Sequence, residues 1–280
     1  ENQRIEIISL IKKSIEQISN KLELSSAHIL LPIQKELDSY LESGFNLRTS
    51  YSFHWFNNGY DSFNDFLNDL TSRQRKNIKK ERSKILGQEI YLERIQGKDI
   101  TEEIWSKFYD FYQLTYLKRG MQAYLSLEFF LEIALRMPES LLLVIARDIK
   151  NKKPIAGALN FQDTNILYGR YWGCLEEYDS LHFEACYYQG IEYCIEKNLK
   201  RFDPGVQGEH KIKRGFFPIE THSVHWIKDA RFNKVIEDFL EREKIHIQAY
   251  NERCRDLLPF KSSVVKKIYS CNEKIKHKVS

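Results

Sequence analysis

Residues 44–55 read GFNLRTSYSFHW, and residues 215–226 read GFFPIETHSVHW. Laid over each other without a gap, the two stretches are identical at five positions: Gly44 and Gly215, Phe45 and Phe216, Ser52 and Ser223, His54 and His225, and Trp55 and Trp226. The residues before each stretch follow one pattern, which predicts a helix, a strand, a connector, Gly-Phe and a second strand. A repeat of this length predicts two related domains that arose by duplication, not an array of small units.

The two copies differ in the connector that precedes Gly-Phe. In the first copy, ILLPIQKELDSYLES (29–43) predicts an ordinary amphipathic helix. In the second copy, FDPGVQGEHKIKR (202–214) combines glycines, two carboxylates, a histidine and three cations, and it predicts a loop. If one half of the chain carries chemistry, the composition of this connector favours the second half.

Composition and charge exclude several classes of protein. The hydrophobic content of 42% and the charged content of 29% are ordinary for a globular chain, and a net charge of +4 is too small to indicate a polyanionic partner by itself. The five cysteines have no CxxC spacing, which favours reduced thiols and a cytoplasmic location. No signal peptide or run of eighteen apolar residues is present, so we expect no membrane span. Because the chain begins at Glu1 inside a helical pattern, we expect the first domain to lack its N-terminal part.

Periodicity predicts an α/β fold with a mixed sheet, in the order helix, helix, three antiparallel strands, helix, strand, loop, strand. The three strands are LLLVIARD (141–148), PIAGALNF (154–161) and NILYGRYWG (165–173). This order is similar to that of the GNAT acyltransferase fold. We therefore expect tandem GNAT-like domains with these bounds: 1–60 for the end of the first domain, 61–87 for a basic helical connector, 88–260 for the second domain with the active site, and 261–280 for a loose basic tail.

A dense run of cations occupies the predicted connector. Residues 73–84, RQRKNIKKERSK, hold seven cations and one acid on a predicted helix. Like charges four residues apart repel each other, so such a cluster favours binding of phosphate groups. A solvated helix face is the other explanation. On the first interpretation, Arg75, Lys76 and Lys79 bind a phosphate of a substrate or nucleic acid.

The connector of the second copy offers the groups that acyl transfer to an amine requires. Such a reaction needs a base for the amine and donors for the tetrahedral oxyanion. Glu209 and His210 are candidate bases, and Lys211 is the candidate catalytic cation. Gly208 would let the backbone approach a ligand closely. Asp203, Gln207 and Arg214 complete the predicted substrate-binding loop, although a charged surface loop remains the alternative.

Two further polar residues lie at the start of a predicted helix over 181–197. His182 and Glu184 are two positions apart, so a helix directs them to opposite sides. We expect one of them to bind substrate and the other to be structural, and the sequence leaves both choices open. His54 and His225 recur beside tryptophan in both copies, which favours core or strand-pairing histidines over catalysis.

Signatures of resident cofactors are missing from the sequence. The histidines and cysteines lack the spacing of a metal site, so we expect no metal. The Arg/Gln-x-x-Gly-x-Gly/Ala loop by which GNAT enzymes usually bind acetyl-CoA is also absent. Its absence counts against a simple acetyl-CoA-dependent N-acetyltransferase.

Taken together, these stretches resemble the FemAB-like peptidoglycan biosynthesis/recognition proteins of the GNAT superfamily. The similarity covers residues 25 to about 260 and is carried by FHWFNNGYDSFNDFLNDLTSRQRKNIKKER (53–82), PIAGALN (154–160), LYGRYWGCLEEYDSLHFEACYYQGIEYCIEKNLKRFDPGVQGEHKIKRGF (167–216) and HWI (225–227). The resemblance implies acyltransferase activity. Better-known Fem relatives move an amino acid from aminoacyl-tRNA onto peptidoglycan precursors. Their lysine-x-x-aromatic-glycine segment is similar to Lys211–Gly215, where Arg214 replaces the aromatic residue.

Two functions follow as hypotheses. The first is an acyltransferase that moves an acyl or aminoacyl group from acyl-CoA (acetyl-CoA) or aminoacyl-tRNA to an amine of a small molecule or cell-wall precursor. The second is a non-catalytic protein that binds a peptidoglycan precursor or a nucleic acid such as tRNA through the basic helix. The acid- and base-rich connector favours the enzyme, and the missing acetyl-CoA signature favours the binding protein.

Overall fold

The computed structural model describes residues 2–205 and 208–278, with side chains for residues 3–205 and 208–270. The chain divides into two compact units. Unit 1 comprises Glu1–Ser52, Pro218–Leu257 and Lys266–Ser280, and unit 2 comprises Phe53–Phe217 and Leu258–Val265. The strands that carry the repeated sequence each begin in one unit and end in the other, and the predicted domain bounds stay a prediction.

Unit 1 holds helices at both ends of the chain and one side of the sheet. Its elements are α1 (Asn2–Lys21), β1 (Ser26–Leu30), a 3-10 turn (Gln34–Glu36), α2 (Leu37–Glu42), the start of β2 (Asn46–Phe56), most of β8 (Phe217–Ile227), α9 (Ala230–Asp256) and most of α10 (Ser262–Lys278). The strand order is β1-β8-β2. The sequence-based expectation of a loose tail after residue 260 is wrong, since α10 continues to Lys278.

The core of unit 1 explains why the repeat contains Phe and Trp. Leu37, Tyr40, Phe45 and Trp226 bury their side chains together with Ile8 and Val224. β1 pairs antiparallel with β8, with Ser26 opposite Ile227 and Leu30 opposite Ser223. In this ladder His28 lies opposite His225, and their Nδ1 atoms are 2.7 Å apart. His225 is thus a strand-pairing histidine, as predicted.

Unit 2 contains the central strands and the helices that follow the basic run. Its elements are the end of β2, α3 (Phe63–Asp69), α4 (Ser72–Gly87), β3 (Ile90–Gln96), α5 (Glu102–Leu117), α6 (Leu127–Arg136), β4 (Leu141–Asp148), β5 (Pro154–Gln162), β6 (Ile166–Cys174), α7 (Leu181–Phe183), a π-helical turn (Glu184–Tyr188), α8 (Gln189–Glu196), β7 (Arg201–Asp203) and a 3-10 helix (Glu209–Arg214). The last of these, called helix 209–214 below, lies where the sequence predicts a loop. Short 3-10 turns between Gly208 and Gly215 are too brief to produce a periodic pattern.

The sheet of unit 2 has the predicted antiparallel hairpins. β3, β4, β5 and β6 pair antiparallel in that order, β7 joins β6 in parallel, and β2 pairs antiparallel with β7. α5 and α6 cover one face with large aromatic side chains, among them Trp105, Phe108, Tyr112 and Phe130. The mixed α/β fold and the order of two helices, three antiparallel strands, a helix and a strand are therefore confirmed.

The repeated sequence lies on equivalent elements. In both copies a short strand, a short helix, a glycine with positive φ and a buried phenylalanine precede an eleven-residue strand. The strands are β2 and β8, and Trp55 and Trp226 are the next-to-last residue of each. Each short strand pairs with the long strand of the other copy, β1 with β8 and β7 with β2. This correspondence is what a duplication requires.

Candidate active site

Helix 209–214 is held in place by the two glycines at its ends. Gly208 has φ +107° and Gly215 has φ +88°, a region that side chains with a Cβ rarely adopt. A Cβ on Gly208 would lie 2.2 Å from Cε1 of His210, so the ring of His210 can fold back over the turn only because residue 208 is glycine. The turn therefore directs successive side chains of the helix to fixed positions.

Lys211 is the buried cation of this helix. Its side chain is 2% exposed, and its Nζ donates a hydrogen bond to the carbonyl oxygen of Gly205. Burial lowers the pKa of Lys211 to about 8, while the nearby carboxylate of Asp203 opposes the shift. A buried ammonium with a pKa this close to neutrality is typical of functional sites, where desolvation and specific charge partners occur together.

Asp203 supplies the negative charge nearest this lysine. Its carboxylate lies 3.3 Å from Nε2 of His54 and accepts the backbone N–H of Gly205 at 3.0 Å. Burial opposes the charge on Asp203, but the close contact with His54 and the hydrogen bond from Gly205 outweigh it and lower the pKa of the carboxyl. His54 is itself buried, in agreement with the prediction of a core histidine. The pair fixes the turn that presents Gly205 to Lys211.

Two histidines, His210 of helix 209–214 and His182 of α7, lie close to each other beside the π-helical turn. Nε2 of His210 is 2.8 Å from the hydroxyl of Tyr187, and the ring centroids of His210 and His182 are 6.1 Å apart. Burial, followed by the charges of Arg214 and Lys211, lowers the pKa of His210. Burial and the charge of His210 lower the pKa of His182 to about 4. Both lowered pKa values favour the neutral imidazole at pH 7, and a pKa of about 4 makes His182 a weak proton acceptor.

An ion pair connects helix 209–214 to α4. Arg214 donates from Nη2 to Glu81 at 2.7 Å and from Nε at 3.2 Å, and its Nη1 donates to the carbonyl of His210 at 2.7 Å. The guanidinium also lies 3.3 Å from the centroid of the Phe183 ring. The Tyr188 hydroxyl donates to the same Glu81 carboxylate. Planar, bidentate pairs of this kind fix geometry as well as charge.

A second set of ion pairs connects α4 to the π-helical turn and to α8. Arg82 donates to Glu184 at 3.0 and 2.9 Å and to Glu192 at 2.9 and 3.1 Å. Glu184 is 4% exposed and also accepts from Gln189 at 2.8 Å. This carboxylate is thus occupied in a structural network. Of the two residues between which the sequence could not choose, His182 lies nearer helix 209–214.

The structure brings some predicted site residues together and separates others. Glu209, His210, Lys211 and Arg214 belong to helix 209–214, Gly208 precedes it, and Asp203 and His182 lie close to it; the side chain of Glu209 is exposed. Gln207 lies outside the described residues. On α4, Arg75 donates to Asn68 at 3.0 Å, and Lys76 and Lys79 are exposed.

Sequence reasoning missed Glu81, Tyr187 and Tyr188, which hold the site together. For Glu81 a signal existed, because it is the one acid in residues 73–84, a run otherwise rich in cations. An acid at such a position predicts a buried partner cation better than it predicts a solvated face. The two tyrosines carry no such signal, since aromatic residues are frequent throughout the chain.

Within residues 2–205 and 208–278, no group of three or more His, Cys, Asp or Glu side chains is arranged to hold a metal ion. Over the same residues, none of the helices combines the length and the apolar character that a membrane span requires.

Several solved structures share this fold. The structure of L-PGS from Bacillus licheniformis has a TM-score of 0.58 and 8% identity, covering 84% of this chain and 77% of that one. The crystal structure of FemX has a TM-score of 0.55 and 14% identity, covering 83% of this chain and 79% of its own. The C-terminal domain of a putative lysylphosphatidylglycerol synthetase from Agrobacterium fabrum has a TM-score of 0.54 and 9% identity, with 79% and 74% covered. At these identities the likeness establishes the fold.

No curated protein sequence matches this chain. A family model does match it, however, over residues 1–262 of 280. That family is FemAB-like and is described as peptidoglycan biosynthesis/recognition. The match includes both copies of the repeat, the basic helix α4 and helix 209–214. The resemblance seen in the sequence is thereby confirmed, and the chain belongs to the FemAB-like family.

Proposed function

We propose that this protein transfers an acyl group, specifically an aminoacyl group, from an activated donor to an amine of a cell-envelope precursor. The family description places its members in peptidoglycan biosynthesis or recognition. Two proteins with this fold are FemX and a putative lysylphosphatidylglycerol synthetase, which supports an aminoacyl donor and leaves peptidoglycan and lipid acceptors as the two classes to test.

The observation that carries the proposal is the buried ammonium of Lys211. An ammonium has three N–H donors, and the carbonyl of Gly205 accepts one of them. Because the side chain is buried, a substrate oxygen that reaches the remaining donors would meet a cation in a medium of low dielectric constant. Fixed donors of this kind stabilise the oxyanion of a tetrahedral intermediate, which is often the largest contribution to acyl transfer.

The proton of the attacking amine needs an acceptor, and we assign this role to His210. The amine nitrogen attacks the acyl carbon, a C–N bond forms, and the carbonyl oxygen becomes an oxyanion next to Lys211. His210, neutral because its pKa is lowered, takes one proton from the nitrogen. The intermediate then collapses, the bond to the donor's ribose oxygen or thiol sulfur breaks, and the imidazolium returns the proton to that leaving group. Glu209, at the start of the helix, is the alternative base.

The other residues of the site position these two. Arg214 and Glu81 anchor helix 209–214 to α4, and Asp203 with His54 holds the turn at Gly205. Gly208 permits the close approach of the His210 ring. We expect each of these residues to affect turnover by changing the placement of Lys211 or His210.

The experiment is a transfer assay with radiolabelled donors. Purified protein is incubated with aminoacyl-tRNA or with acyl-CoA, and with muropeptide precursors or an amine-bearing lipid, phosphatidylethanolamine, as acceptors. Lys211→Met should reduce turnover roughly a hundredfold or more, as loss of an oxyanion donor does, and His210→Ala should do the same for the base. Lys107→Met on α5 is the matched control, since Lys107 is an exposed lysine paired with Asp110.

The outcomes separate the hypotheses. Transfer from aminoacyl-tRNA alone assigns the donor, and transfer from acyl-CoA alone replaces the aminoacyl proposal by a plain acyltransferase. Turnover that survives both Lys211→Met and His210→Ala refutes the catalytic assignment. Binding of a precursor without turnover, with every donor, would support the non-catalytic recognition protein instead.

A further inference from the structure

A cavity of about 210 Å³ opens between α4 and helix 209–214 in unit 2. It is lined by Gln74, Asn77, Lys80, Glu81, Lys84, Lys213 and Arg214. The volume corresponds to about seven water molecules at their share of liquid volume. A phosphate or diphosphate group fits such a space.

The charges around the cavity are unequal. Four cations and one carboxylate line it, and that carboxylate, Glu81, is already bonded to Arg214 and to the hydroxyl of Tyr188. Lys84 is paired with Asp179 at 2.6 Å. Lys80 and Lys213 have no ion pair among the described residues, and both are exposed. Two positive charges thus face the cavity without a salt bridge among the described residues, and the nearby carboxylate of Asp179, which Lys84 already binds, offsets the charge of Lys80 only in part.

The remaining lining residues supply neutral donors. Gln74 and Asn77 each carry a side-chain amide, and the amide nitrogen of Asn77 is 3.4 Å from the oxygen of Gln74. An amide NH₂ has a second proton, so both side chains can donate to an anion while they contact each other. Cations in excess over carboxylates, together with amide donors, form a site for an oxyanion with several acceptor oxygens.

From this arrangement we propose that the cavity binds a phosphate-bearing ligand, with Lys80 and Lys213 as the charged contacts and Gln74 and Asn77 as the neutral ones. The site differs from the predicted one, because none of Arg75, Lys76 and Lys79 lines the cavity. Its charged contacts also differ from those of the transfer site: Lys80 on α4 and Lys213 on helix 209–214 are exposed, whereas Lys211 is buried.

The position of Arg214 gives the cavity a consequence for the neighbouring site. Arg214 lines the cavity and lies three residues from Lys211 on the same short helix. A ligand whose phosphate is held here would therefore be anchored beside helix 209–214. Nothing in the binding itself depends on the transfer reaction, so the two proposals can fail separately.

The test is binding of inorganic pyrophosphate to the full chain, measured by isothermal titration calorimetry at constant ionic strength. The double variant Lys80→Gln/Lys213→Gln should weaken binding roughly tenfold or more, since each of its two substitutions removes a charge-assisted hydrogen bond to the ligand. The triple variant Arg75→Gln/Lys76→Gln/Lys79→Gln is the control, because it removes three charges, one more than the double variant removes in all, and none of its residues lines the cavity. We expect this triple variant to change affinity less than threefold, on the order of a screened surface charge.

Three results would overturn the proposal: no pyrophosphate binding by the parent protein, equal weakening in both variants, or weakening in the triple variant alone. Circular dichroism of each variant shows whether it is folded. If the double variant does not fold, the single variant Lys213→Gln and the single variant Lys80→Gln replace it with the same criteria.

Competition then identifies the source of the phosphate: a nucleoside diphosphate that displaces pyrophosphate assigns a soluble ligand, and displacement by phosphatidylglycerol vesicles assigns a lipid headgroup.

Discussion

Replacing Lys211 by Met should stabilise the folded protein near pH 7 even though it abolishes the proposed function. Burial lowers the pKa of Lys211 from 10.5 to about 8, so the folded state carries this charge at a cost. At 1.36 kcal/mol for each pKa unit, the cost is about 3 kcal/mol near pH 7. Met keeps the length of the side chain and removes the charge.

The gain is smaller than the full cost, because Lys211 also makes a hydrogen bond. The carbonyl of Gly205 loses its ammonium donor in the variant, which costs about 1–2 kcal/mol. The expected net result is a rise of about 1–2 kcal/mol in the free energy of unfolding near pH 7. Active sites frequently show such an exchange of stability for function.

The pH dependence gives the sharper test. Because the folded pKa lies below the unfolded pKa, the unfolded chain binds a proton between about pH 8 and 10.5 that the folded chain does not. The contribution of Lys211 to the free energy of unfolding therefore becomes more favourable as the pH rises through this window. By the linkage relation, the cost of the charge falls from about 3 kcal/mol near pH 7 to about 1 kcal/mol near pH 9.5.

Urea denaturation of parent and variant at these two pH values measures the difference directly. Both proteins contain the same buried cysteines and tyrosines, so the contributions of these groups to the pH dependence of the free energy of unfolding cancel when the two proteins are compared. The advantage of Lys211→Met should shrink by about 2 kcal/mol between the two pH values, and it can change sign. Lys213→Met, an exposed neighbour, should stay within about 0.5 kcal/mol of the parent at both. A difference for Lys211→Met that is independent of pH would refute the assignment of a buried, charged lysine.

Two further predictions concern packing and acid stability. Gly173→Ala should destabilise the protein by about 1–3 kcal/mol in urea denaturation, because the new Cβ would lie 2.1 Å from the backbone oxygen of Phe111. A Cβ at Gly87 meets nothing within 4 Å, so the control Gly87→Ala should stay within about 0.5 kcal/mol of the parent. Equal effects of the two variants would contradict the packing at β6. His182→Phe should make the protein less sensitive to acid. The folded pKa of His182, about 4, lies below its unfolded value, so the parent loses about 2–3 kcal/mol of unfolding free energy as the pH falls from about 6.5 towards 4. Identical acid unfolding curves for parent and His182→Phe would show that this histidine does not titrate as a buried group.

Several features of the fold could be read from the sequence because they depend on local patterns. The hairpin strands alternate or run continuously apolar between turn residues, and the predicted β4, β5 and β6 agree with the structure to within one residue at each end. The repeat around Trp55 and Trp226 predicted two equivalent strands, which β2 and β8 are. Strands and long helices leave such signals because each buries one face along its whole length.

Short or irregular elements were not predictable in this way. Helix 209–214 has six residues, fewer than two turns of an α-helix, and it follows two glycines that indicate a loop. The π-helical turn at Glu184–Tyr188 interrupts a segment whose pattern predicts one continuous helix. α10 was read as a loose tail because its cations conceal Val264 and Ile268, which are buried.

The sequence by itself determined the mixed α/β fold, the duplicated strand pair and the connector where acid, base and cation occur together, since each follows from the spacing of neighbouring residues. Only the tertiary structure decided which of those groups meet. Arg214 pairs with Glu81 across 133 positions and Arg82 with Glu184 across 102, and no local pattern encodes a contact over such separations. The structure likewise decided that Lys211 is buried and that Lys80, not Lys76, faces a cavity. Burial and the choice of helix face depend on what packs against a residue, and that is set by the folded chain as a whole.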